Sequence, residues 1–475
     1  MNSGSSPGRG SPEMRFGTPQ PSGLVLCRPG MASRAEQPWG RDLPLGLGYL
    51  AACARVKGLS VSVVDAKAKG HLSTDLTVSA IMEKRPRWVG ISAMTFDFPL
   101  AAEIADKLKR QDQPPVVILG GPHASALPSE SLAEAPGIDY VLAGQAEESL
   151  FELLARLEAG DSVEAVPGLY WRGPGLEVRQ SARDPEPPDL ESLPFPAWDL
   201  WPRQREYPLM TERGCPYACV FCCRNTGRTP RPRPVESVVE EVRWLKAQFD
   251  AKVINVEDDT LGLDPERTGD LLSRFAGCGL GRDIEFLGQT RPDRMTPELA
   301  GLMKAAGFRW VCFGVESGDD EVLRRSGKGI TTAQVEAAVR ASRAAGLKVW
   351  LKFILGLPGE TAESAGRTIG LAVRLNPERF GAAVITAYPG TQVYAWALKG
   401  EQGYHLLSRD WRRFDRYLGA SVELETLSAR QLKRLQLKLV LSVYLRNNRL
   451  ADLLRFACQD LPLKAAVLRS ALFGR

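Results

Sequence analysis

Three cysteines, Cys215, Cys219 and Cys222, stand in the segment Gly214-Cys215-Pro216-Tyr217-Ala218-Cys219-Val220-Phe221-Cys222 with the spacing C-x3-C-x2-C. Thiolates are the usual ligands of iron-sulfur clusters, so three on one loop can hold three irons of a [4Fe-4S] cluster and leave the fourth iron open. A structural zinc site needs four ligands, commonly in two close pairs. The chain has no second pair of that kind, and His71, His123 and His405 all lie far from the loop in sequence. Cys223 directly follows the third cysteine, but the x2 spacing makes Cys222 the expected ligand.

The loop resembles the signature of the radical S-adenosylmethionine (SAM) superfamily. In that family SAM chelates the open iron through its amino and carboxylate groups, and an electron from the cluster cleaves the sulfonium to methionine and a 5'-deoxyadenosyl radical. The resemblance implies SAM contacts from Tyr217 and Phe221 in the loop and from residues at the ends of later strands. In Val256-Glu257-Asp258-Asp259 the carboxylates of Asp258 and Asp259 could accept hydrogen bonds from the SAM ammonium; Asp259 could equally be a helix N-cap. Gln289-Thr290-Arg291-Pro292-Asp293 occupies the place that in this family lies beside the ribose and substrate, which singles out Gln289 and Arg291. Gly314-Val315-Glu316-Ser317-Gly318 resembles the family's glycine-glutamate-serine turn, in which the equivalents of Glu316 and Ser317 reach SAM. Leu355 to Thr361 and Tyr388 to Thr391 also resemble family loops, with glycine and proline permitting tight turns near a ligand.

These loops need strands to carry them. From Leu209 onward, β-rich runs alternate with helical patterns: Leu209 to Glu212, Val253 to Glu257, Glu285 to Gln289, Trp310 to Val315, Val349 to Leu355 and Ala382 to Ala387. Six βα units predict an incomplete (β/α)6 TIM-type barrel over 206–395, with its chemistry at the carboxyl ends of the strands. Upstream, Gly23 to Cys27, Ser60 to Asp65, Trp88 to Met94, Val116 to Gly121 and Tyr140 to Gly144 alternate with helical segments. That is the form of an α/β doubly wound parallel sheet, Rossmann-like, over 21–158. The proline-rich stretch 159–205 reads as a linker and residues 1–20 as a disordered segment. Residues 396–475 read as a small helical cap with no clear strand.

The first sheet resembles the cobalamin-binding domain that precedes the barrel in one radical SAM subfamily. Leu43 to Leu47, Gly90 to Thr95, Gly120-Gly121-Pro122-His123, and Gly144 with Glu147 carry the resemblance. It implies cobalamin contacts from Asp65, Ser92, Thr95, Gly120, Gly121, His123, Gly144 and Glu147, with the adjacent glycines letting backbone pass close to a flat macrocycle. The cobalamin motif D-x-H-x-x-G appears as Asp65-Ala66-Lys67-Ala68-Lys69-Gly70. A protonated lysine cannot ligate metal, so cobalamin here is expected in its histidine-off form. Gly144-Gln145-Ala146-Glu147 also departs from the acidic-glycine pattern common at that place. A domain that keeps the fold without the cofactor is the alternative.

Bulk properties agree with a packed intracellular enzyme. The 475 residues are 44% apolar and 25% charged, and the net charge of +5 comes from interspersed residues, so nucleic acid is not an expected partner. Nine cysteines without framework spacing point to a reducing cytoplasm. The first residues lack the apolar run of a secretory signal, and no run approaches the roughly 20 apolar residues of a membrane span. The basic tail from Lys464 to Arg475 could touch a membrane surface, though packing as a helix is expected.

The resemblance implies a cobalamin-dependent methyltransferase that methylates an unactivated carbon or phosphorus centre, using a 5'-deoxyadenosyl radical and methylcobalamin. It also implies a small-molecule or natural-product intermediate as substrate and an electron donor such as flavodoxin or ferredoxin. An oxidoreductase or cyclase with the same cofactors, and a non-catalytic cobalamin sensor, remain alternatives. A methylthiotransferase would need three more cluster cysteines upstream, where only Cys27 and Cys53 stand.

Overall fold

Short runs of Val, Ile and Leu, bounded by glycine, proline or polar turns, make the first sheet. The computed structural model describes residues 23–30, 43–68, 73–417 and 421–458. The expected disordered segment 1–20, His71, Lys69, Gly70 and the basic tail lie outside the described residues. The first unit runs β1 (Leu24–Arg28), α1 (Leu45–Val56), β2 (Val61–Asp65), α2 (Thr74–Met82), β3 (Trp88–Ser92), α3 (Phe98–Lys109), β4 (Val116–Gly120), α4 (Pro122–Ala126), α5 (Pro128–Glu134), β5 (Tyr140–Leu142) and α6 (Ser149–Ala159). It ends with β6 (Leu169–Arg172) and β7 (Val178–Gln180).

The sheet order is β2-β1-β3-β4-β5-β6-β7, with β1 to β5 parallel and the last two antiparallel. Strand order reverses between β1 and β3, and in such sheets the crevice for a ligand opens at the carboxyl ends flanking that reversal. β1 and β3 are nearly continuous apolar runs because helices cover both faces.

The expected linker over 159–205 is corrected by this arrangement. Part of it supplies β6 and β7, and Leu190, Leu193, Ala197, Trp198 and Trp201 are buried in a core shared by the two sheets. Prolines bar helix interiors and central strands. They do not stop the apolar residues between them from burying their surface. Gly48 shows how closely this segment packs: Ala197 N–H donates to Gly48 O at 3.0 Å, and a Cβ on Gly48 would lie 2.8 Å from the Trp198 ring.

The second unit runs β8 (Glu206–Leu209), β9 (Glu212–Arg213), β10 (Arg231–Pro232), α7 (Val235–Phe249), β11 (Val253–Val256), α8 (Pro265–Gly277), β12 (Glu285–Thr290), α9 (Pro297–Ala305), β13 (Phe308–Glu316), α10 (Asp320–Arg325), α11 (Thr332–Ala344), β14 (Lys348–Leu355), α12 (Ala362–Leu375) and β15 (Arg379–Val384). Six parallel strands stand in sequence order, β8-β11-β12-β13-β14-β15. Burial pushes the Arg379 guanidinium down to about 10 and the Glu206 carboxylate opposes it, so the first and last strands curve to within electrostatic reach. β8 ends where a strand was expected to begin, because the N–H groups of Thr211 and Glu212 go to the Asp258 carboxylate rather than to a ladder.

The C-terminal region holds α13 (Gln392–Lys399), β16 (Tyr404–Leu406), β17 (Val422–Leu424), α14 (Ala429–Arg446) and α15 (Leu450–Cys458). The antiparallel pair β16–β17 corrects the expectation of a purely helical cap. Its strands are short and far apart in sequence, so no local alternation announces them. A capping box between Ser428 and Gln431 starts α14. Among the described residues no helix is long and apolar enough to cross a membrane.

The contact at Gly48 yields a paired expectation. Gly48→Ala should lower stability by about 1–3 kcal/mol through overpacking against Trp198. Gly46→Ala on the same helix, with nothing within 4 Å of the added methyl, should leave it unchanged or raise it by up to about 1 kcal/mol. Urea midpoints followed by tryptophan fluorescence measure both.

Candidate active site

The cysteine loop leaves the end of β9 and is tied down from several sides. Gly214 has φ +101°, and a Cβ there would lie 2.2 Å from Thr229 O, so only glycine fits. Gly214 N–H donates to Asp259 Oδ2 at 3.2 Å, and Cys215 N–H to Gly227 O at 3.1 Å. Val220 N–H donates to Ser326 O at 3.0 Å, and Val220 O accepts from Val393 N–H at 3.1 Å. Thr260 Oγ1 sits 3.8 Å from Cys215 Sγ.

Cys215, Cys219 and Cys222 are free thiols. Cys215 and Cys219 lie within electrostatic reach of each other, as do Cys219 and Cys222. Burial raises the Cys219 thiol above its usual range and the Lys328 ammonium opposes that rise. Among the described residues no three His, Cys, Asp or Glu side chains gather about one point as a single-ion site requires. Three cysteines on one loop are the donor set that an iron-sulfur cluster takes.

The strand ends around the loop divide into two groups. Glu316, at the end of β13, has φ +67° where the β13–β14 register shifts, and its Oε1 lies 2.9 Å from the Lys328 ammonium, both side chains nearly buried. Arg291 donates to Lys328 O at 2.7 Å, pairs with Asp293 at 2.9 Å and stacks its guanidinium 3.5 Å from the centre of the Tyr217 ring. Gln289 Oε1 accepts from Lys352 Nζ at 2.9 Å, and Phe221 packs against the apolar cluster that includes Val220 and Leu355. Glu316, Arg291 and Tyr217 are therefore joined through Lys328 and the guanidinium into one cluster beside the cysteine loop.

Asp258 and Ser317 are placed differently from the expectation. The Asp258 carboxylate accepts from Thr211 N–H at 2.6 Å, Thr211 Oγ1 at 2.6 Å and Glu212 N–H at 3.1 Å, and burial pushes it up to about 6 against those donors. It latches the strand end to the segment that leads into the cysteine loop. Asp259 accepts from Gly214 N–H and from the Thr226 hydroxyl, so it organises the cysteine loop; it caps no helix, and Asp264 caps α8. Ser317 is fully buried, with Oγ 3.2 Å from Thr368 Oγ1 on α12. The Ser317 side chain thus lies between the end of β13 and α12. Lys328 went unread in sequence; its signal was a lysine between Gly327 and Gly329, which have φ +68° and +66°.

In the first unit, Met94 is 46% exposed beside Ser92 and the buried Thr95, at the crevice where strand order reverses. Gly120 has almost open space at its Cα, whereas a Cβ on Gly121, with φ +92°, would lie 2.8 Å from Ser92 Oγ. Gly121 thus serves the approach of two strand ends. Gly144, with φ +82°, donates to Ser125 Oγ at 2.9 Å and faces Pro185. The Asp65 carboxylate accepts from Arg28, from Ala68 N–H at 2.9 Å and from Trp201 Nε1 at 2.9 Å. It joins β1, β2 and the packed segment after β7. His123, expected as a cobalamin contact, stacks on Phe98 at 4.2 Å and meets Trp411 edge-on at 5.0 Å, and burial pushes its pKa down to about 4. An apolar environment disfavours the charged imidazole.

Comparison with known proteins adds two matches along the chain: residues 42–154 to the B12 binding domain and 210–372 to the radical SAM superfamily. An uncharacterized methyltransferase of Pyrococcus horikoshii is 32% identical over 85% of this chain and 88% of its own. This chain belongs to the radical SAM superfamily, in the branch with a B12-binding domain. The anaerobic magnesium-protoporphyrin IX monomethyl ester cyclase of Rubrivivax gelatinosus is 25% identical over 78% of this radical SAM chain and 69% of its own. The fold matches that of the radical SAM methyltransferase TsrM from Kitasatospora setae, whose structure has cobalamin and a [4Fe-4S] cluster bound: TM-score 0.70, 20% identity, 88% of this chain and 91% of that one.

One residue ties the start of the cysteine loop of this radical SAM chain directly to the B12-binding unit. Arg213, immediately before Gly214 of the cysteine loop, pairs with Glu147 of the B12-binding unit at 2.7 Å, both side chains nearly buried. It also donates to Gln145 Oε1 at 2.7 Å and lies over the Tyr49 ring at 5.2 Å. Glu147 is thus engaged with the barrel. Arg213→Met leaves its carboxylate buried and unpaired, which should cost about 3–5 kcal/mol, and adding Glu147→Leu should recover much of that. Urea unfolding of the two variants measures it.

The loop after β14 carries a titrating group. Glu360 is fully buried and accepts from Gly356 N–H, and burial pushes its carboxyl up to about 7 against that bond. A raised folded-state value means that the folded chain holds the proton, so Glu360 contributes its full stability at low pH. That contribution disappears as pH rises from about 4.5 to about 7. His123, depressed, contributes with the opposite slope. Glu360→Gln should therefore gain on the wild type by on the order of 1–3 kcal/mol across that range; urea midpoints at several pH values read the difference.

Proposed function

We propose that the protein is a cobalamin-dependent radical SAM methyltransferase that methylates an unactivated carbon or phosphorus centre of a small molecule. The observation that carries this reading is the junction at Arg213, where the cysteine loop of the barrel is fastened to the loop after β5 of the B12-binding unit. Methyl transfer from one cofactor to a centre activated by the other needs both beside one substrate. A junction of nearly buried, paired charges holds two loops in fixed relation.

In this reading Cys215, Cys219 and Cys222 hold the [4Fe-4S] cluster, and SAM lies against Tyr217, Phe221, Gln289, Arg291 and Glu316. Bound there, cluster and SAM supply a hydrogen-abstracting radical, while cobalamin at the β1/β3 crevice supplies the methyl group. The buried Glu316–Lys328 pair presents a fixed carboxylate to a cationic group, and Arg291 stacks its guanidinium on the Tyr217 ring. Asp258 and Asp259 act one step back by holding the loop. At the crevice, Met94 offers an apolar surface and Gly120 an open one, which suits a flat macrocycle; Lys67 replaces the axial histidine, so cobalamin binds histidine-off. A flavodoxin or ferredoxin in the cytoplasm fits the electron demand.

The test is anaerobic reconstitution with iron, sulfide and cobalamin, followed by SAM, a low-potential reductant and candidate substrates. Formation of both S-adenosylhomocysteine and 5'-deoxyadenosine is expected, and Cys215→Ala with Cys219→Ala and Cys222→Ala should abolish the deoxyadenosine. Deoxyadenosine alone would favour the oxidative or cyclising alternative, and neither product from an intact cluster would overturn the reading.

A further inference from the structure

The last two helices carry an apolar stripe that the rest of the described chain leaves bare. α14 packs along the outer strand β15 and against α12, with Leu432, Leu439 and Val443 buried and Gln436 Nε2 donating to Ala382 O at 2.8 Å. A helix laid over an edge strand is a common way to close it. On the far side of α14, Leu441 and Leu445 stand four residues apart, and the stripe continues on α15 with Leu450 and Leu454. Leu445 is 53% exposed and Leu450 and Leu454 are 59% exposed. Single exposed leucines are ordinary. Here Leu441 and Leu445 share a shallow depression with Arg434, Lys438 and Arg446.

Charge decides what could cover such a face. From Ala429 to Arg475 the chain has ten Lys and Arg, two Asp and no Glu, an excess of eight positive charges in a protein whose total is +5. The basic balance of the whole chain thus lies in its last tenth. A second copy docking face to face would bring Arg434 and Lys438 against themselves. Residues 459–475 carry Lys464, Arg469 and Arg475 against Asp460, and would add like charge instead of neutralising it. An anionic surface that also accepts apolar side chains satisfies both features.

We propose that the outer face of α14 and α15 docks the protein onto anionic lipid membranes as a peripheral, non-spanning contact. Leucines enter the boundary between headgroups and acyl chains while the flanking cations meet the headgroups. The inference does not depend on the reaction catalysed.

Sedimentation of the full chain with vesicles tests it. Binding is expected to vesicles containing phosphatidylglycerol and not to phosphatidylcholine alone, and to weaken with salt. Arg434→Glu with Lys438→Glu should weaken it roughly tenfold or more. Leu441→Gln, Leu445→Gln, Leu450→Gln and Leu454→Gln together should weaken it similarly, with circular dichroism and cluster absorbance unchanged because these side chains are exposed. Equal binding to both vesicle types, no binding, or binding that survives both variants would overturn the proposal. So would concentration-dependent self-association abolished by the leucine variant, which assigns the face to a second copy, or binding only after removal of 459–475, which assigns it to the chain's own tail.

Discussion

The positive charge of Arg213 lies where water scarcely reaches, and Glu147 from the other sheet neutralises it. Removing either partner would leave an ion in a poorly solvated seam, which is far costlier than the pair itself. The seam extends inward: Arg233 pairs with the fully buried Glu241 at 2.5 Å and reaches the Tyr49 hydroxyl, while Arg231 shares Gln145 with Arg213. Since Arg213 is followed directly by Gly214 and Cys215, the start of the cysteine loop is set by a contact with the first unit. Hydrophobic burial around Trp198 and Trp201 brings the two sheets together, and the paired charges select their register.

Carboxylates at the strand ends do two kinds of work. The buried Asp258 and the exposed Asp259 accept from backbone and hydroxyl donors and so tie the loop to the end of β11. Glu316 faces the cluster of Arg291, Lys328 and Tyr217. A left-handed conformation at a glutamate costs on the order of 1–3 kcal/mol and persists where surroundings over-determine it. The ion pair with Lys328 and the register shift between β13 and β14 provide that constraint.

The C-terminal region binds to both units and so closes the molecule. Tyr404 Oη donates to Gly356 O at 2.8 Å in the loop after β14, while Trp411 Nε1 donates to Glu134 Oε2 at 2.7 Å in the first unit. Trp411 and Phe414 complete the apolar cluster that encloses His123. A histidine beside two glycines thus becomes part of the core because a segment nearly 290 residues later covers it.

Local information in the chain determined the cysteine spacing, the alternation of strands and helices in both units, and the glycine turns at the strand ends. Each depends on neighbours a few residues apart, where the periodicity of side chains and the special conformations of glycine speak directly. Tertiary structure alone decided which polar groups find partners in distant segments of the fold. Asp258, Ser317, Asp65 and His123 look like site residues by position, yet each is claimed by partners that its own segment does not contain. The same holds for the packed segment 190–201, whose prolines suggested a linker, and for β16 pairing with β17. Buried hydrogen-bond capacity has to be satisfied by whatever the fold brings near. That neighbourhood is set by long-range packing, which residue type and local spacing do not encode.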